Sequence, residues 1–312
     1  MKITDVLGCV GWGAFIIVSS VWIPFVGPFL SLLTPLPFLY YSIKLGIYQG
    51  IKLAAIGTLT VGLFAKLTGY PQIILFCVEF SLLGLLLSEL FRRKLDLGQT
   101  VFFATVFMLL LSLGFLFFIA LLKNMGPLEM MLNYLQGQLQ VTVKAYEEMG
   151  MPQENAIELE AYTKAFIAAI SKIYLSLMVI GTGFAVWLNV VLSRPLFRKG
   201  NLEYPAFTRA DRWQAPDSLV WGVIVAGFAL FLSSGSIKLI AINALIIIMT
   251  IYLFHGLSIV LFFLNKHRVA TWMRIAIYVL IIVQQLFFVV LALAGLFDQW
   301  IDFRKIHRRM ES

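Results

Sequence analysis

The stretch QTVFFATVFMLLLSLGFLFFIALL at residues 99–122 contains no charged side chain. An α-helix needs about 20 consecutive apolar residues to cross the hydrocarbon core of a bilayer, and this stretch has that length. Only helices and closed barrels satisfy their backbone hydrogen bonds in lipid. Because the apolar residues run continuously and do not alternate with polar ones, the stretch predicts a membrane-spanning helix and not a barrel strand.

The rest of the chain repeats this pattern. Hydrophobic residues make up 61% of the 312 positions and charged residues 13%, whereas soluble domains are roughly a quarter charged. Nine apolar segments predict spans, at 6–23, 26–43, 46–66, 71–90, 99–122, 165–192, 218–235, 240–264 and 274–297. Four prolines between positions 24 and 37 interrupt the first two, which favours broken or re-entrant helices there. The predicted fold is an all-α, polytopic transmembrane helix bundle of about eight or nine spans.

The charges in the connecting segments predict the orientation of the chain. Basic residues follow the fourth, sixth and eighth segments, and they are Arg92, Arg93, Lys94, Arg194, Arg198, Lys199, Arg209, Arg212, Lys266, Arg268 and Arg274. The segment 123–164 is acidic. Since Lys and Arg collect in cytoplasmic loops, we expect a multi-pass protein of the bacterial inner membrane with a cytoplasmic N-terminus. The same rule explains the net charge of +8, so nucleic acid is not an expected partner.

The end of the chain does not fit this orientation. Nine crossings would place the tail outside, although it contains Arg304, Lys305, Arg308 and Arg309. A hairpin broken near Gln284 and Gln285, or an earlier segment that does not cross, would resolve the conflict. The side of the C-terminus therefore stays open at the level of sequence.

Three regions are predicted from these segments. Residues 1–192 form a six-span transmembrane domain, 193–217 a basic cytoplasmic loop, and 218–312 a transmembrane extension with a basic tail. Within the first, 123–164 has apolar residues at helical spacing, with Gly150 and Pro152 breaking the pattern. We expect an amphipathic hairpin on the outer membrane surface; a lid over an outward-facing pocket is the alternative.

The chemistry-bearing motifs of enzymes are missing from the sequence. It has no GxxxxGK[ST] loop for phosphates, no HExxH pair for zinc and no GxSxG nucleophile elbow. Cys9 and Cys77 lie in apolar segments without metal-ligand spacing. The sequence therefore predicts no enzyme, no cofactor and no metal site.

Polar residues inside the apolar segments are the candidate site residues. Glu79 lies in mid-segment, where a charge costs at least a few kcal/mol without a partner or a wet cavity. It is either a ligand contact or a paired, structural carboxyl group. His255 is a second candidate, although a lone helical histidine is often a packing residue. Asn243, like Asn189, can join helices through hydrogen bonds, and Gln284 can do the same or line a cavity.

Three stretches in the C-terminal third suggest a family. They are WQAPD at 213–217, YLFHGLSIVLFFL at 252–264 and LFDQWIDFR at 296–304. In this order they resemble the YybS-like bacterial membrane proteins, a resemblance that implies a membrane location and no particular chemistry. In the last stretch Asp298, Asp302 and Arg304 are expected to form a salt-bridged helix end, with Trp300 as an interfacial anchor.

The N-terminal half has a second resemblance. Its proline-rich opening, followed by KLGIYQG at 44–50, is similar to the substrate-binding S-components of energy-coupling-factor vitamin transporters. This implies a six-helix fold that binds a small molecule and depends on separate transporter subunits. The expected function is solute binding or transport without an ATPase of its own, with candidate ligand contacts at Glu79, His255, Asn243 and Gln284. The alternative is a structural or regulatory scaffold that binds partner proteins.

Overall fold

A computed structural model of the protein describes residues 2–23, 27–69, 72–126 and 153–304, with residues 129, 130, 133, 136 and 137 of the intervening segment. All regular structure in these residues is helical. The predicted all-α class is therefore confirmed. Helices satisfy their own backbone groups, which is why long apolar runs of this kind fold as helices in lipid.

Eleven α-helices and one 3₁₀ helix make up the described part of the chain. They are α1 (Ile3–Trp22), α2 (Gly27–Ser31), α3 (Pro35–Leu45), α4 (Ile47–Thr68), α5 (Gln72–Arg92), α6 (Leu97–Leu122), α7 (Gln153–Lys199), α8 (Leu219–Leu232), α9 (Gly235–Lys266), α10 (Thr271–Val283) and α11 (Leu286–Ile301). The 3₁₀ helix, Ala210–Arg212, lies between α7 and α8.

Fewer of these helices are long enough to span a membrane than the sequence predicts. Within the described ranges five qualify by length and apolar composition, and they lie in α4, α5, α6, α7 and α9. The pair α10 and α11 makes a sixth if it is counted as one broken span. Three further apolar helices are shorter: Ile3–Ser19, Phe29–Leu45 and Leu219–Leu232. The predicted count of eight or nine treats each apolar run as a crossing, although several runs form only short helices.

Local residue choices set several helix ends. Asp96 begins α6 with a capping box: its side chain accepts from the Gln99 backbone, and the Gln99 side chain accepts from the Asp96 backbone. Such reciprocal bonds satisfy two of the free N–H groups at a helix start. Gly46 and Gly69 have φ of +95° and +77°, a conformation that glycine adopts without a side-chain clash. They separate α3 from α4 and end α4.

The chain divides into two compact units, of which the first contains residues 1–127 and 181–207. Its main core lies where α3, α5 and α6 meet the C-terminal part of α7. The buried members are Leu39, Leu83, Leu87, Leu90, Phe91, Ala104, Met108, Val186, Val190 and Phe197. Asn189 of α7 donates to the backbone oxygen of Leu32 at 2.7 Å, which joins α7 to the turn between α2 and α3 and not directly to a second helix.

The second unit contains residues 128–180 and 208–312, and α9 is its central element. Helices α9 and α11 approach so closely that a side chain on Gly256 would meet the Leu291 backbone, and one on Gly295 would meet that of Tyr252. Small residues at such crossings let helix backbones come into contact. The contact fixes the position of α11 along α9.

These units differ from the regions predicted at 1–192, 193–217 and 218–312. Helix α7 has 47 residues, which corresponds to about 70 Å, and the boundary between the units falls within it, after Ile180. The helix also continues through Pro195 to Lys199, so the predicted loop begins as helix. Of the predicted outer hairpin 123–164, residues 127, 128, 131, 132, 134, 135 and 138–152 lie outside the described residues.

The last apolar segment is broken, at the place that the sequence indicates. Helix α10 ends at Val283 and α11 begins at Leu286, so Gln284 and Gln285 separate them. The two helices are bent by 104°. The predicted break is therefore confirmed, and the segment 274–297 is not one straight helix.

Candidate functional site

His255 lies in the most polar buried cluster of the second unit. Its side chain is 1% exposed, and it projects from α9, a long apolar helix. A buried polar group is expected to have hydrogen-bond partners. Its ring also meets the Trp213 ring edge-on, with the ring centroids 6.2 Å apart.

The partners of His255 come from the end of α11. The Asp298 carboxylate lies 3.1 Å from Nε2 of His255, and the Arg304 guanidinium lies 2.9 Å from the same nitrogen. Arg304 also donates to the Asp298 carboxylate at 2.9 Å. The backbone N–H of Phe303 donates to the other Asp298 oxygen at 2.8 Å. The predicted salt-bridged helix end is thus present between Asp298 and Arg304.

The Arg304 guanidinium and the Asp298 carboxylate both lie against the same ring nitrogen of His255. An arginine can only donate hydrogen bonds. One guanidinium nitrogen has two N–H groups, so it can donate one hydrogen bond to Nε2 of His255 and one to Asp298. The other ring nitrogen of His255, Nδ1, is buried and has no hydrogen-bond partner among the described residues. Ser258 also lies beside this pair, but its hydroxyl donates to the backbone oxygen of Trp213 and not to His255. This differs from a hydrolase triad, in which the histidine accepts from the serine.

Arg304 also fastens the polar segment 209–217, which precedes α8, to the core of the unit. Its second terminal nitrogen lies 3.1 Å from the Trp213 oxygen, 3.5 Å from the Asp211 oxygen and 3.4 Å from the Ser258 hydroxyl. One guanidinium, 9% exposed at the side chain, thereby joins α9, α11 and the segment. We call Arg304 with Asp298, His255 and Ser258 the Arg304 cluster.

A second polar network holds the start of the segment. Asn265 donates to the Asp211 carboxylate at 3.0 Å, and Arg209 donates to it at 2.8 Å. Burial alone would raise the pKa of Asp211, but these hydrogen bonds outweigh it and lower the pKa below its ordinary value. Arg274 donates to the Asn265 amide oxygen and to the backbone oxygens of Leu264 and Val269, at the end of α9.

Asn243 lies in α9 and joins it to α7. Its amide oxygen accepts from the backbone N–H of Ser176, and its nitrogen donates to the backbone oxygens of Lys172 and Leu239. These contacts use the amide for helix packing, as the sequence analysis anticipated. Asn243 stands 12 residues from His255, about 18 Å along the helix axis. Gln284 is exposed at the break between α10 and α11.

Glu79 belongs to the first unit, whereas His255, Asn243 and Gln284 belong to the second. Its side chain is half-buried on α5, and the Ser112 hydroxyl of α6 lies within hydrogen-bonding reach. Two surface hollows lie in the first unit. One is lined by Thr58, Leu59, Gly62, Leu63 and Ile74, and the other by Lys2, Thr4, Asp5, Lys44 and Leu45. Neither contains Glu79 or His255.

The described residues contain no group of three or more His, Cys, Asp or Glu side chains placed to hold a metal ion. Cys9 and Cys77 are free thiols, and both are buried. The polar clusters of the structure are instead held together by arginine and amide side chains, which donate to carboxylates and to backbone oxygens.

The sequence indicated three members of the Arg304 cluster, His255, Asp298 and Arg304, but it did not connect His255 with the other two, and Ser258 was missed. His255 was a separate candidate, and Asp298 and Arg304 were assigned to a helix end. The signal that links them is the cost of a polar side chain in an apolar helix, which predicts that each has a partner. Which partner it is depends on the packing of α11 on α9, across 43 residues of sequence.

Comparison with known proteins agrees with the membrane character of the chain. Residues 13–299 match the family model described as predicted membrane protein (DUF2232). The chain is 23% identical over 298 residues to the uncharacterized protein YybS of Bacillus subtilis (strain 168), covering 93% of each chain. No solved structure matches the chain. With the family model covering nearly its whole length, the chain belongs to the DUF2232 family of predicted membrane proteins.

Proposed function

We propose that this multi-pass membrane protein is a structural or regulatory scaffold, which binds partner proteins through the segment 209–217. The observation that carries the proposal is the Arg304 cluster, which holds this polar segment in one conformation. A preformed surface loses less conformational entropy on binding than a flexible loop does. The cluster therefore suits a permanent docking surface better than a solute pocket.

The interior beneath the segment supports this choice. Asp298 and His255 are 1% exposed and Ser258 is 5% exposed. Their partners are one another, Arg304 and backbone oxygens. A ligand pocket needs a concave space with polar groups directed into it, whereas these groups are directed at each other.

The exposed charges on and near the segment indicate which kind of partner surface would bind there. Arg209 and Arg212 are exposed, as is Arg268 after α9. Arg209 shares its charge with Asp211, which leaves the other two as the main sources of positive potential. A partner with an acidic surface is therefore expected, because complementary charge speeds association and excludes other partners.

The proposal also specifies where the protein lies in the cell and which ligands a scaffold would not need. Because Lys and Arg collect in cytoplasmic loops, the positive residues after α5, α7 and α9 support a cytoplasmic location for the segment, in a bacterial inner-membrane protein with its N-terminus inside. As a scaffold it would catalyse no reaction and need no cofactor, metal or nucleic acid. Its surroundings would be the lipid bilayer and its protein partners.

A solute-binding role is the second candidate, and Glu79 is the observation that favours it. A half-buried carboxyl group in an apolar helix, next to a hydroxyl on α6, is a common arrangement for contacting a polar ligand or a cation. The resemblance of the N-terminal half to transporter S-components points the same way. In this role the protein would work with separate transporter subunits.

The test is native mass spectrometry of the protein extracted gently from its own membranes. We expect a stoichiometric protein partner with wild type, and its loss with Arg212→Gln and Arg268→Gln together. The control is Arg93→Gln, which removes an exposed pair with Glu89 in the first unit. A bound small molecule without a protein partner, lost in Glu79→Gln, would overturn the scaffold and support the carrier.

A further inference from the structure

We propose that α10 and α11 do not cross the membrane but lie at the face of the 209–217 segment, with the lipid interface as the partner of their exposed apolar side chains. The C-terminal tail then leaves the second unit on that same face. This inference concerns topology and lipid contact, and it does not depend on the scaffold proposal.

The position of a residue along α9 gives its distance from the α8–α9 turn in the second unit. It begins at Gly235, directly after the short turn that connects it to α8. From Gly235 to His255 the helix rises about 30 Å. This is about the thickness of the hydrocarbon core, so the level of His255 lies one hydrocarbon thickness from the turn. The remaining part of α9, as far as Lys266, extends beyond that level.

The polar segment marks the membrane face on this side. The Ser258 hydroxyl donates to the backbone oxygen of Trp213, and the Asn265 amide donates to the Asp211 carboxylate. The segment therefore lies along the last three turns of α9. Charged and irregular backbone of this kind is not found exposed in the hydrocarbon region, so this end of α9 lies outside it.

Both ends of the α10–α11 pair are near this end of α9. Helix α10 begins at Thr271, only five residues after α9 ends at Lys266. Helix α11 ends with Asp298 against His255, and Arg304 reaches Ser258 and Trp213. A crossing would have carried Arg304 to the level of Gly235. It lies instead about one hydrocarbon thickness away, at the face where α10 began.

The direction of α11 agrees with this placement. Its Leu291 backbone lies at Gly256, and its Gln299 contacts Tyr252 at 3.2 Å. From Leu291 to Gln299 the contacts of the α11 backbone thus move backwards along α9 by about one turn, whereas the Asp298 and Arg304 side chains reach forward to His255 and Ser258. The start of α11 therefore lies towards Lys266, on the polar side. Gln284 at the break is exposed, and on this side water can satisfy its amide.

The lengths and surfaces of the two helices suit an interface. They contain 13 and 16 residues, about 20 and 24 Å, and the bend of 104° between them means that they do not form one straight span. Their outer surface is apolar, with Trp272, Ile275, Val279, Ile282, Val289 and Trp300 all exposed. Helices with apolar faces lie in the headgroup region, and tryptophan is enriched there.

The consequence is an even number of crossings after the segment 209–217. Only α8 and α9 cross. Helix α8 has only 14 residues, but it connects the segment beside Ser258 to the turn before Gly235 and so runs along the same part of α9. The tail that follows Arg304 begins on the side from which α8 begins. The basic residues of the tail, Lys305, Arg308 and Arg309, then obey the same rule as the other basic segments. The conflict in the sequence-based orientation disappears.

The test is cysteine accessibility in a background with Cys9→Ala and Cys77→Ala, since both native thiols are buried. Single cysteines are introduced as Ser312→Cys and Gln284→Cys. Gln214→Cys in the polar segment and Ser234→Cys in the α8–α9 turn are the references for the two faces. A membrane-impermeant maleimide is applied to spheroplasts and to inverted vesicles, and the protein without introduced cysteines measures the background.

We expect Ser312→Cys and Gln284→Cys to be labelled in the same preparation as Gln214→Cys. Labelling of either one together with Ser234→Cys would overturn the proposal, as would a Gln284→Cys that is protected in both preparations. As a second measurement, alkaline phosphatase and green fluorescent protein are fused after Ser312. A fusion on the same face as one placed at Gln214 supports the inference, and one on the opposite face overturns it.

Discussion

At the scale of single residues, Arg304 does the most to hold the second unit together. Its guanidinium pairs with a carboxylate that is 0% exposed at the side chain and contacts three further groups. A buried charge is tolerable only when it is paired and hydrogen-bonded. Removing the arginine would leave the Asp298 charge uncompensated beside His255.

We therefore expect Arg304→Gln to lower the free energy of unfolding by about 3–5 kcal/mol, the usual cost of removing one partner of a buried ion pair. Thermal unfolding in mild detergent measures the change. The matched control is Arg93→Gln, whose exposed pair with Glu89 should contribute under about 1 kcal/mol. Equal effects of the two substitutions would contradict the assigned role of Arg304.

Asp211 makes a pH dependence measurable at the same scale. Hydrogen bonds from Asn265 and Arg209 outweigh burial and lower its pKa from 3.8. Its ionised form therefore stabilises the fold above pH 3.8, and this contribution is lost as the pH falls through the lower folded pKa. Asp211→Asn should lower the melting temperature at neutral pH, and the difference from wild type should shrink below about pH 3.8.

The melting temperature is followed from pH 7 down to pH 3. The exposed Asp217, in the same segment, gives the control substitution Asp217→Asn, for which we expect little difference from wild type throughout. A difference between Asp211→Asn and wild type that grows with acidification would show that the charge of Asp211 destabilises the fold.

At the scale of elements, the crossing of α9 and α11 depends on two glycines. A Cβ on Gly256 would meet the backbone of Leu291, 2.7 Å from its carbonyl carbon. Backbone cannot move aside as a flexible side chain can, so the helices would have to separate. The separation would also pull Asp298 away from His255.

We expect Gly256→Ala to destabilise the protein by more than about 1 kcal/mol, as overpacking of a tight contact does. Gly227→Ala is the matched control, because Gly227 lies in α8 with nothing within 4 Å of an added Cβ. There the change should be neutral or stabilising by up to about 1 kcal/mol, since alanine favours the helix. Detergent unfolding compares the two, and a neutral Gly256→Ala would mean that α11 packs differently.

At the scale of the whole molecule, charge predicts the orientation of the chain. Arg93 follows α5 and Asn124 follows α6, so one crossing separates them. We expect Arg93→Cys to be labelled from the cytoplasmic face and Asn124→Cys from the outer face, in the same cysteine-free background. The reverse pattern would invert the orientation, and labelling of both from one face would mean that α6 does not cross.

The amino-acid sequence was sufficient to predict that this protein lies in a lipid membrane and that its fold is all-α. Hydropathy along the chain is a local property, and a run such as 99–122 needs no partner to require a lipid environment. The break at Gln284 and the ion pair of Asp298 with Arg304 were also predictable, because their members lie close together in sequence. The number of spans was not, since it depends on how far each short apolar helix reaches.

The contacts between polar residues far apart in the chain follow from the packing of the helices and could not be read from the sequence. His255 and Asp298 are 43 residues apart, and Arg304 and Trp213 are 91 apart. Their contacts follow from the approach of α11 to α9 at Gly256 and Gly295, which composition and periodicity do not specify. Helices in lipid associate through close packing and hydrogen bonds between specific surfaces. Hydropathy shows that a segment is in the membrane, but only packing selects its neighbour.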